Sequence, residues 1–370
     1  MPSLVLVGAG HVHLGVLDRL RRQPISGTTL TVVDPADVGA YSGLLPPALA
    51  GRHALEAAAI PAAAIVRAMG GTWIGGRVIA VDDAARTVTL ADGRHLEADV
   101  ISLDVGARPA TDTIAGAERL LGVRPFAAAR RLAARIDTLD AHGAVVVIGA
   151  GAAGVELAIA IAVRRRRHGA TGRVAIVDRA DEPLPTWPPA ARRHARAALR
   201  THGIALHTER TVRAIEPTHV VLDDDTSLDA AAVVWAAGLA PHPLALPTAA
   251  ARSPRGFPLV EATLRVAGTQ ALFGAGDGVD HGAHPRLEKS GVHAVRQAGT
   301  LAANLRAACV GTDALVPWRP RRRTLALLDA GDGTAILRYG GLALRARSAH
   351  TLKRRLDEGY VAALVAAAAE

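Results

Sequence analysis

The hydrophobic pattern of the chain contains the same unit twice. An apolar run at residues 4–7 is followed by a glycine turn, an amphipathic segment at 13–22 and a second apolar run that ends at Asp34. The order recurs from an apolar run at 145–148, through a glycine turn and an amphipathic segment at 153–166, to an apolar run ending at Asp178. Each unit predicts a β-strand, a tight turn, an α-helix and a parallel β-strand.

Each unit is followed by segments in which apolar and polar residues alternate. In the first half these lie at 78–81 and 87–90, with turn-forming residues between them, and they predict a β-meander. An apolar strand then leads to Gly106, and the second half closes in the same way before Gly238. The duplication, from Gly8 to Gly149, is too long for a solenoid repeat and predicts two Rossmann-type domains.

The rest of the chain predicts a return to the first domain and a small C-terminal region. A proline-rich crossover leads to the apolar strand in "ALFGAGD" and to a long helix at 290–308. Strands near 324–328 and 334–339 and a helix from residue 349 follow. The expected fold is α/β, with two Rossmann-type dinucleotide-binding domains, the first discontinuous and the second inserted into it, and an α+β C-terminal region. The expected limits are 1–112 with 243–311, 113–242 and 312–370.

Composition narrows the classes of function. The formal net charge of +9 comes almost entirely from arginine, since Lys289 and Lys353 are the only lysines. The charge is dispersed and aromatic residues make up 3% of the chain, which disfavours a nucleic-acid-binding surface. We favour a solvated basic surface as the explanation of the charge; attraction of anionic nucleotides or of an anionic membrane is the alternative. The single cysteine, Cys309, excludes an internal disulfide and a thiolate metal cluster, and no metal site is expected.

The two glycine turns carry the predicted chemistry. A strand-to-helix turn built on Gly8 and Gly10 lets a pyrophosphate approach the amide groups at the start of a helix. Asp34, at the end of the next strand, is placed to accept hydrogen bonds from a ribose. The same logic assigns four residues of the second unit: Gly149, Gly151, Gly154 and Asp178. A carboxylate at Asp178 favours NADH over NADPH, and Arg179 beside it weakens that preference.

The first turn departs from the pattern because His13 takes the position of the third glycine. One interpretation is that the helix stands slightly away from the strand and the His13 ring fills the gap, which we favour. The other is that His11 or His13 donates a hydrogen bond to the cofactor near its phosphates. A metal site built on these two histidines is not expected, because no third ligand is near in sequence.

In chain order these motifs resemble the FAD- and NAD(P)-dependent pyridine nucleotide-disulfide oxidoreductases over nearly the whole chain. "VGAG…VVD" is similar to the FAD fingerprint, and "VVVIGAGAAGVELA…VAIVD" is similar to the NAD one. "SLDVGARP", "WAAGLAP" and "ALFGAGD" resemble the further motifs of the two nucleotide sites. The resemblance implies FAD as cofactor and NADH as donor, with NADPH as the alternative. It adds Gly106 and Asp277 to the FAD site, Asp277 on the ribityl chain, and Ala152, Ala153 and Gly238 to the NAD site.

The loop "AYSGLLPPALAG" corresponds to the segment that carries a cysteine pair in the disulfide reductases, and it has no cysteine. Disulfide reduction and sulfide oxidation through a cysteine relay are therefore excluded. The chain is most similar to the type II NADH dehydrogenases, within them to the subgroup related to selenide, water dikinase. "GHVH", "YSGLLP" and "GVHAVRQAGTLAANL" carry this resemblance, which places Gly43 and Leu44 at the flavin.

That subgroup implies hydride transfer from NADH to FAD and electron transfer from the flavin to a quinone, without proton pumping. Glu156 matches a glutamate near the nicotinamide and the flavin; its alternative role is that of a first-turn acid stabilised by the helix dipole. The helix that begins near Ser290 is the candidate source of positive potential for the reduced flavin. Lys289 is a second such source or, equally, a solvated residue before that helix.

The electron acceptor is less well defined by the sequence. The family carries paired glutamines in the quinone-site helix, and here Val292 and Arg296 replace two of them, so that only Gln297 remains. Another quinone, an iron–sulfur protein or another small acceptor, and oxygen therefore stay open. A flavin-bound sensor with little turnover is a further alternative, disfavoured by the intact glycines, Glu156 and Asp178.

The C-terminal segment bears on partners and location. Four residues recur every fourth position, namely Leu352, Leu356, Tyr360 and Leu364, with basic residues at 353–355. This pattern fits a basic amphipathic helix at a membrane surface, or a helix docked on its own protein or on a second subunit of a homodimer. No apolar run reaches the ~20 residues of a transmembrane helix, and we expect a cytoplasmic protein, with peripheral membrane contact as an alternative.

Overall fold

The structure, a computed structural model, describes residues 1–368. Its first domain opens with a β-α-β unit and continues into a three-stranded antiparallel meander. The strands of this part are β1 (Ser3–Val7), β2 (Thr29–Asp34), β3 (Gly39–Ala40), β4 (Ala59–Ile60), β5 (Thr72–Gly75), β6 (Val78–Asp82), β7 (Thr87–Leu90), β8 (His95–Glu97), β9 (Val100–Leu103) and β10 (Arg108–Pro109). The helices are α1 (His11–Arg22), α2 (Leu45–Leu49) and α3 (Ala62–Ala68).

The second domain repeats this plan. Its helices are α4 (Phe126–Asp137), α5 (Ala152–Arg167) and α6 (Pro189–Thr201). Its strands are β11 (Val145–Ile148), β12 (Val174–Val177), β13 (Ala205–His207), β14 (Val212–Ile215), β15 (His219–Leu222), β16 (Ser227–Asp229), β17 (Ala232–Trp235) and β18 (Leu239–Ala240). A parallel sheet has the order β13-β12-β11-β17, and β14-β15-β16 form the meander.

The chain then returns to the first domain through β19 (Leu259–Val260), β20 (Leu272–Gly274), β21 (Asp280–His281) and α7 (Gly291–Cys309). Strand β20 pairs in parallel with β9 and completes a five-stranded sheet in the order β20-β9-β1-β2-β5. Helix α7 packs on α1 so closely that a Cβ at Gly15 would lie 2.7 Å from the Cβ of Ala298. The first sheet is thus assembled from two separated parts of the chain.

The central strands of both parallel sheets are buried along their length, as in β11, where Val145 to Ile148 are all buried. A strand that packs on both faces needs apolar side chains at consecutive positions, and this is why these runs do not alternate. The predicted α/β fold with two Rossmann-type units is confirmed. Helices α1 and α5 begin at His11 and Ala152, earlier than predicted, because each helix starts directly after the second glycine of its turn.

The C-terminal region consists of β22 (Leu325–Asp329), β23 (Ala335–Tyr339), β24 (Leu342–Ala346) and α8 (Arg347–Ala366). The three strands form an antiparallel sheet. The sequence predicted only two of them, because Leu342 and Leu344 of β24 are exposed and give no core-facing alternation. Helix α4 was also not predicted. None of the helices within residues 1–368 is long and apolar enough to cross a membrane.

Candidate functional site

The two glycine turns have the same local geometry. Gly8 and Gly149 adopt positive φ angles of 87° and 110°, which favour glycine. A Cβ at Gly8 would lie 2.4 Å from the carbonyl oxygen of Asp104, so the backbone passes directly against the neighbouring strand end. The third glycine of the second turn, Gly154, is required for packing too, because a Cβ there would lie 1.8 Å from the carbonyl oxygen of Gly149.

Each turn is tied to the acid at the end of the next strand. The amide of Ala9 donates to Asp34 Oδ2 (2.8 Å), and the amide of Ala150 donates to Asp178 Oδ2 (2.5 Å). Burial raises the pKa of Asp34, while its bond from Ala9 opposes that rise. Both carboxylates therefore lie beside their glycine turns, where the sequence places the ribose of a dinucleotide.

The surroundings of Gly151 show whether the second turn has room for a pyrophosphate. Its φ is −68°, a value that any residue adopts, and a Cβ there would meet nothing within 4 Å. Neither the backbone nor the packing of this chain requires glycine at that position. The open space lies at the N-terminus of α5, which starts with Ala152 and Ala153, and it leaves room for the phosphate that the sequence predicts at this turn.

His13 occupies the interior of the first domain and has no accessible surface. Its Nδ1 donates to the carbonyl oxygen of Gly8 (2.6 Å), and its Nε2 accepts from the hydroxyl of Ser102 (2.8 Å). Burial lowers the pKa of His13 to about 4, so the ring is neutral. A direct contact between His13 and a cofactor, one of our two interpretations, is therefore corrected: the ring joins the glycine turn to β9 and has no surface left for a ligand.

The buried position of His13 predicts a stability effect. Replacing it with alanine leaves a cavity and removes a partner from both Gly8 and Ser102, and we expect a loss of about 2–4 kcal/mol in the free energy of unfolding. Urea unfolding measures it. The control is H95A, since the His95 ring is exposed and contacts only Thr89 within the described interactions, with an expected change within about 0.5 kcal/mol. Equal stability of the two variants would contradict this role.

His11, by contrast, lies at the edge of the site near the loop at residues 41–51. Its ring centroid is 5.7 Å from that of Tyr41, and its Nε2 is 3.4 Å from both the amide and the hydroxyl of Ser42. Burial, with a smaller effect from Arg124, lowers the pKa of His11 to about 4. A neutral ring beside the start of α1 remains available to a bound cofactor.

One cavity collects four predicted residues: Asp277, Lys289, Ser290 and Gln297. Lys289 donates to the carbonyl oxygens of Asp277 (2.8 Å) and Val279 (2.6 Å) and pairs with Asp280 (3.0 Å). Its ammonium also lies 3.8 Å from the centroid of the Phe257 ring. Lys289 is thus not a solvated residue before the helix, because its charge is already paired inside the protein.

Gln297 is almost fully buried, and its Oε1 accepts from the amide of Gly276 (2.7 Å) while its Nε2 donates to His281 (2.9 Å). Lys289 and Gln297 thus hold the segment 276–280 from two sides, with the Asp277 carboxylate 3.4 Å from Arg124. Ser290 precedes the first turn of α7. Direct catalytic roles for Lys289 and Gln297 stay predictions; the contacts described here position Asp277.

A buried polar cluster, which the sequence did not predict as a unit, joins the two domains and the C-terminal helix. Glu156 Oε1 accepts from the amide of Asp329 (2.7 Å) and lies 3.5 Å from Lys353 Nζ. Lys353 Nζ also donates to Asp357 Oδ2 (2.8 Å) and to the carbonyl oxygen of Gly43 (3.0 Å). We call Tyr41, Glu156, Asp329, Lys353 and Asp357 the interdomain cluster.

Opposing effects set the charges of this cluster. Burial raises the pKa of Glu156 to about 7, while Lys353 and the amide of Asp329 oppose that rise. Burial alone would lower the pKa of Lys353, but Glu156 and Asp357 outweigh it, so that the pKa is raised and the ammonium stays charged. The site therefore pairs a permanent cation with a carboxyl that titrates near neutral pH.

The loop at residues 41–51 is held against this cluster. The hydroxyl of Tyr41 donates to Asp357 Oδ1 (3.0 Å), and a Cβ at Gly43 would lie 2.7 Å from the same oxygen. Leu44 is buried beside them. Gly106 has a positive φ of 66° and open space in front of it, and the carbonyl oxygen of Gly238 accepts from the amide of Ala110 (3.0 Å).

Sequence reasoning also missed Asp104, which lies in the quoted motif "SLDVGARP". Its Oδ2 accepts from the amides of Val12 (2.8 Å) and His13 (2.9 Å) at the start of α1. Burial raises the pKa of Asp104 to about 7, against the effect of these two hydrogen bonds. The signal that could have found it is an acid directly after the buried strand β9 and two residues before Gly106.

Two glycine turns with their acids, at the carboxyl edges of two parallel sheets, define a protein built from two domains of the dinucleotide-binding type. The model of the pyridine nucleotide-disulphide oxidoreductase family matches residues 2–298. The chain belongs to that family. Membership of this family supports the cofactors predicted from the sequence, FAD and NAD(P)H.

Three relatives illustrate the likeness. An NADH dehydrogenase-like protein of Mycobacterium tuberculosis is 31% identical over 235 residues, which cover 60% of this chain and 59% of the relative. The demethylphylloquinone reductase NdbB of Synechocystis sp. is 32% identical over 167 residues, or 43% and 41% of the two chains. The structure of NDH2 from Plasmodium falciparum in complex with NADH superposes with a TM-score of 0.83 at 14% identity, over 97% of each chain. The aligned segment thus spans less than two thirds of the first relative.

Proposed function

We propose that this protein oxidises NADH through bound FAD and passes the electrons to a quinone. The observation that carries the proposal is the interdomain cluster. It brings Glu156, which lies just after the second glycine turn, into contact through Lys353 with Gly43, in the loop next to the first turn. A titratable carboxyl and a fixed cation thus lie between helix α5 of the second domain and the loop at residues 41–51 of the first.

The residues divide the work as follows. FAD, when bound, would supply the redox chemistry that links NADH to the acceptor. The turn at Gly149 and Gly151 and the acid Asp178 bind the donor; the turn at Gly8 and Gly10 with Asp34 binds the FAD. Reduction of a quinone to a quinol by NADH consumes one proton, and Glu156 holds one at Oε2 when its carboxyl is neutral, since Oε1 accepts from the amide of Asp329.

A donor-and-acceptor assay tests this proposal directly. The full-length protein is incubated with NADH and, in separate reactions, a soluble ubiquinone analogue, a menaquinone analogue, a ferredoxin and oxygen alone. We expect NADH oxidation to depend on a quinone and to be much slower with NADPH, because the carboxylate of Asp178 repels a 2′-phosphate. Turnover with ferredoxin but with neither quinone would overturn the acceptor assignment and leave the donor half intact.

The same assay also bears on Val292 and Arg296, which stand in α7 where the family has two glutamines. Arg296 is half-buried, and within the described contacts its NH1 atom has no hydrogen-bond partner, so the replacement puts a cation on α7 where the family has an amide. We therefore expect the rate of NADH oxidation to depend more on the polar groups of the quinone ring than on the quinone tail.

The C-terminal region is proposed as the membrane-contact surface. Tyr360 and Leu364 do not belong to an exposed stripe, because Leu364 is buried and Tyr360 stacks on Tyr41 with a centroid distance of 4.7 Å. Helix α8 is thus docked on the protein, and exposed apolar side chains remain at Leu352 and Leu356. Leu342 in the preceding hairpin is 74% exposed. Basic residues of α8 are exposed beside them, namely Arg347, Arg354 and Arg355.

Leu342→Asp tests this surface. With vesicles containing anionic lipid we expect the membrane-bound fraction to fall several-fold. Transfer of an ionised carboxylate into the apolar layer is unfavourable, and the negative headgroups repel it. Co-sedimentation measures the fraction. The control is I79D, since Ile79 is also an exposed apolar residue but lies in the meander of the first domain. Equal losses in both variants would contradict the membrane assignment. It would also be contradicted if the unchanged protein formed a soluble dimer and did not bind vesicles.

A further inference from the structure

The internal duplication allows the two nucleotide turns to be compared position by position. A Cβ at Gly8 would collide with the carbonyl oxygen of Asp104 at 2.4 Å, and one at Gly149 would approach the carbonyl carbon of Ala236 at 2.7 Å. Asp104 and Ala236 therefore occupy equivalent places against their turns. Where the second domain has a methyl group, the first domain has a carboxyl group.

This difference changes the start of the first helix. Asp104 Oδ2 accepts from the amides of Val12 and His13, whereas the methyl group of Ala236 accepts no hydrogen bond. A Cβ at Gly10 would lie 2.5 Å from the Asp104 carboxyl, while a Cβ at Gly151 would meet nothing within 4 Å. The space that is open in front of α5 is thus filled by a carboxyl group in front of α1.

The carboxyl is also enclosed from the opposite side. A Cβ at Gly276 would lie 2.5 Å from Asp104 Oδ1, so both glycine turns of the first domain, at Gly10 and at Gly276, leave room for this one side chain. Negative groups outnumber positive ones around it. The titratable groups that act on it are Asp34, Asp277, Tyr360 and the neutral His13, while the nearby cation Arg124 is paired with Asp277.

We propose that Asp104 couples FAD binding to the uptake of one proton. The pyrophosphate of FAD and an ionised Asp104 require the same positive helix end, and in the loaded protein the carboxyl is neutral. The balance is simple: the apoprotein with ionised Asp104, one proton and one FAD give the holoprotein, with the proton on Asp104. The proposal rests on the assignment of FAD to the first turn.

The direction in which the affinity for FAD changes with pH follows from the causes of the Asp104 pKa shift. Burial raises the pKa of Asp104 to about 7 without cofactor, and Asp277 and Asp34 add to the rise. A pyrophosphate beside it raises the pKa further. Below pH 7 the carboxyl is already neutral and FAD binds without a proton. Above pH 7 the apoprotein must take one up, so the dissociation constant of FAD rises with pH.

Titration of the full-length apoprotein with FAD measures this. We expect the Kd to rise about thirtyfold between pH 6 and 8.5, the change that full uptake of one proton by a group with a pKa near 7 produces. Calorimetry at pH 8.5 in two buffers of different ionisation enthalpy counts the protons, with an expected uptake close to one per FAD. Uptake near zero in the unchanged protein would overturn the proposal without recourse to any variant.

Asp104→Asn assigns the proton to its residue. The amide oxygen still accepts from the two amides of α1 but carries no charge, so we expect a Kd that does not change with pH and no proton uptake. D104S, with a smaller acceptor, serves if D104N does not fold. The control is D83N, because Asp83 also accepts from two main-chain amides, those of Gln270 (2.8 Å) and Ala271 (2.9 Å), away from the turn.

The outcomes distinguish the proton-binding role of Asp104 from the assignment of FAD to the first turn. The control should keep the pH dependence of the unchanged protein, and an Asp104 variant that also keeps it would overturn the role of Asp104 while leaving FAD at this turn. Failure of the unchanged protein to bind FAD at any pH would overturn the cofactor assignment and, with it, this proposal.

Discussion

Replacing Gly151 with valine is expected to prevent reduction of the bound flavin by NADH while leaving the flavin in place. The side chain would enter the open space at the N-terminus of α5, where no atom lies within 4 Å of a Cβ. The fold tolerates it at a cost of about 1 kcal/mol, typical of a poor residue before a helix. The pyrophosphate of NADH would lose several charge-assisted hydrogen bonds of about 1.5–3 kcal/mol each, a weakening of at least about a hundredfold.

Anaerobic stopped-flow absorbance measures this effect, with the rate of flavin bleaching followed against NADH concentration. The control is G341V, because Gly341 also has open space and an ordinary φ but lies in the C-terminal hairpin. Dithionite should still bleach the flavin of G151V. Saturation of G151V at the NADH concentration of the unchanged protein would show that no pyrophosphate binds at this turn.

Replacing Glu156 with glutamine is expected to lower turnover with a quinone by about a hundredfold, the usual scale of general acid catalysis. The amide retains the bond from the amide of Asp329 but holds no transferable proton. In the unchanged protein burial places the pKa of Glu156 near 7. The carboxyl is neutral below that pH and ionises above it, so the rate should fall about tenfold for each pH unit above 7. The variant should be slow at every pH.

Steady-state rates between pH 5.5 and 9, at saturating NADH and quinone, show this profile. E261Q is the control, since Glu261 is an exposed acid that lies 3.5 Å from Arg265 on the surface. Its profile should match that of the unchanged protein. A Glu156 variant with the same rate and the same pH dependence would restrict this glutamate to holding the C-terminal region in place.

The nucleotide turns were predictable because their determinants are local. Four consecutive apolar residues, a glycine with positive φ and an acid at the end of the next strand lie within one β-α-β unit, and the structure places them as the pattern indicates. The third-glycine position was also interpretable locally. A histidine there fills the gap between helix and strand, and its ring bonds confirm that interpretation.

The interdomain cluster was not predictable, because its members come from distant parts of the chain. Tyr41 and Asp357 are 316 residues apart, and Glu156 lies in the other domain. The recurrence of Leu352, Leu356, Tyr360 and Leu364 suited a membrane-surface helix and a docked helix equally. The buried face of α8 includes Leu364 but otherwise follows Lys353, Asp357 and Val361. Only the rarity of lysine hinted at this: both lysines of the chain are buried in ion pairs.

Asp104 marks a similar limit. It lies in a motif that the sequence shows, but its role depends on the turns at Gly10 and Gly276 that enclose its carboxyl group. Those turns lie far apart in sequence and meet because β20 pairs with β9. Sequence pattern therefore identified the two glycine turns and their acids, while the buried carboxyl groups near them could be recognised only in the folded chain.

An anaerobic titration of the purified holoprotein tests the central claim most directly. NADH is added in small portions while the flavin absorbance is recorded, and a soluble quinone is then added without oxygen. We predict complete bleaching by one NADH per flavin and recovery of the oxidised spectrum by one quinone per flavin. A flavin spectrum that NADH leaves unchanged, or a bleached flavin that quinones do not reoxidise, would contradict the proposed function.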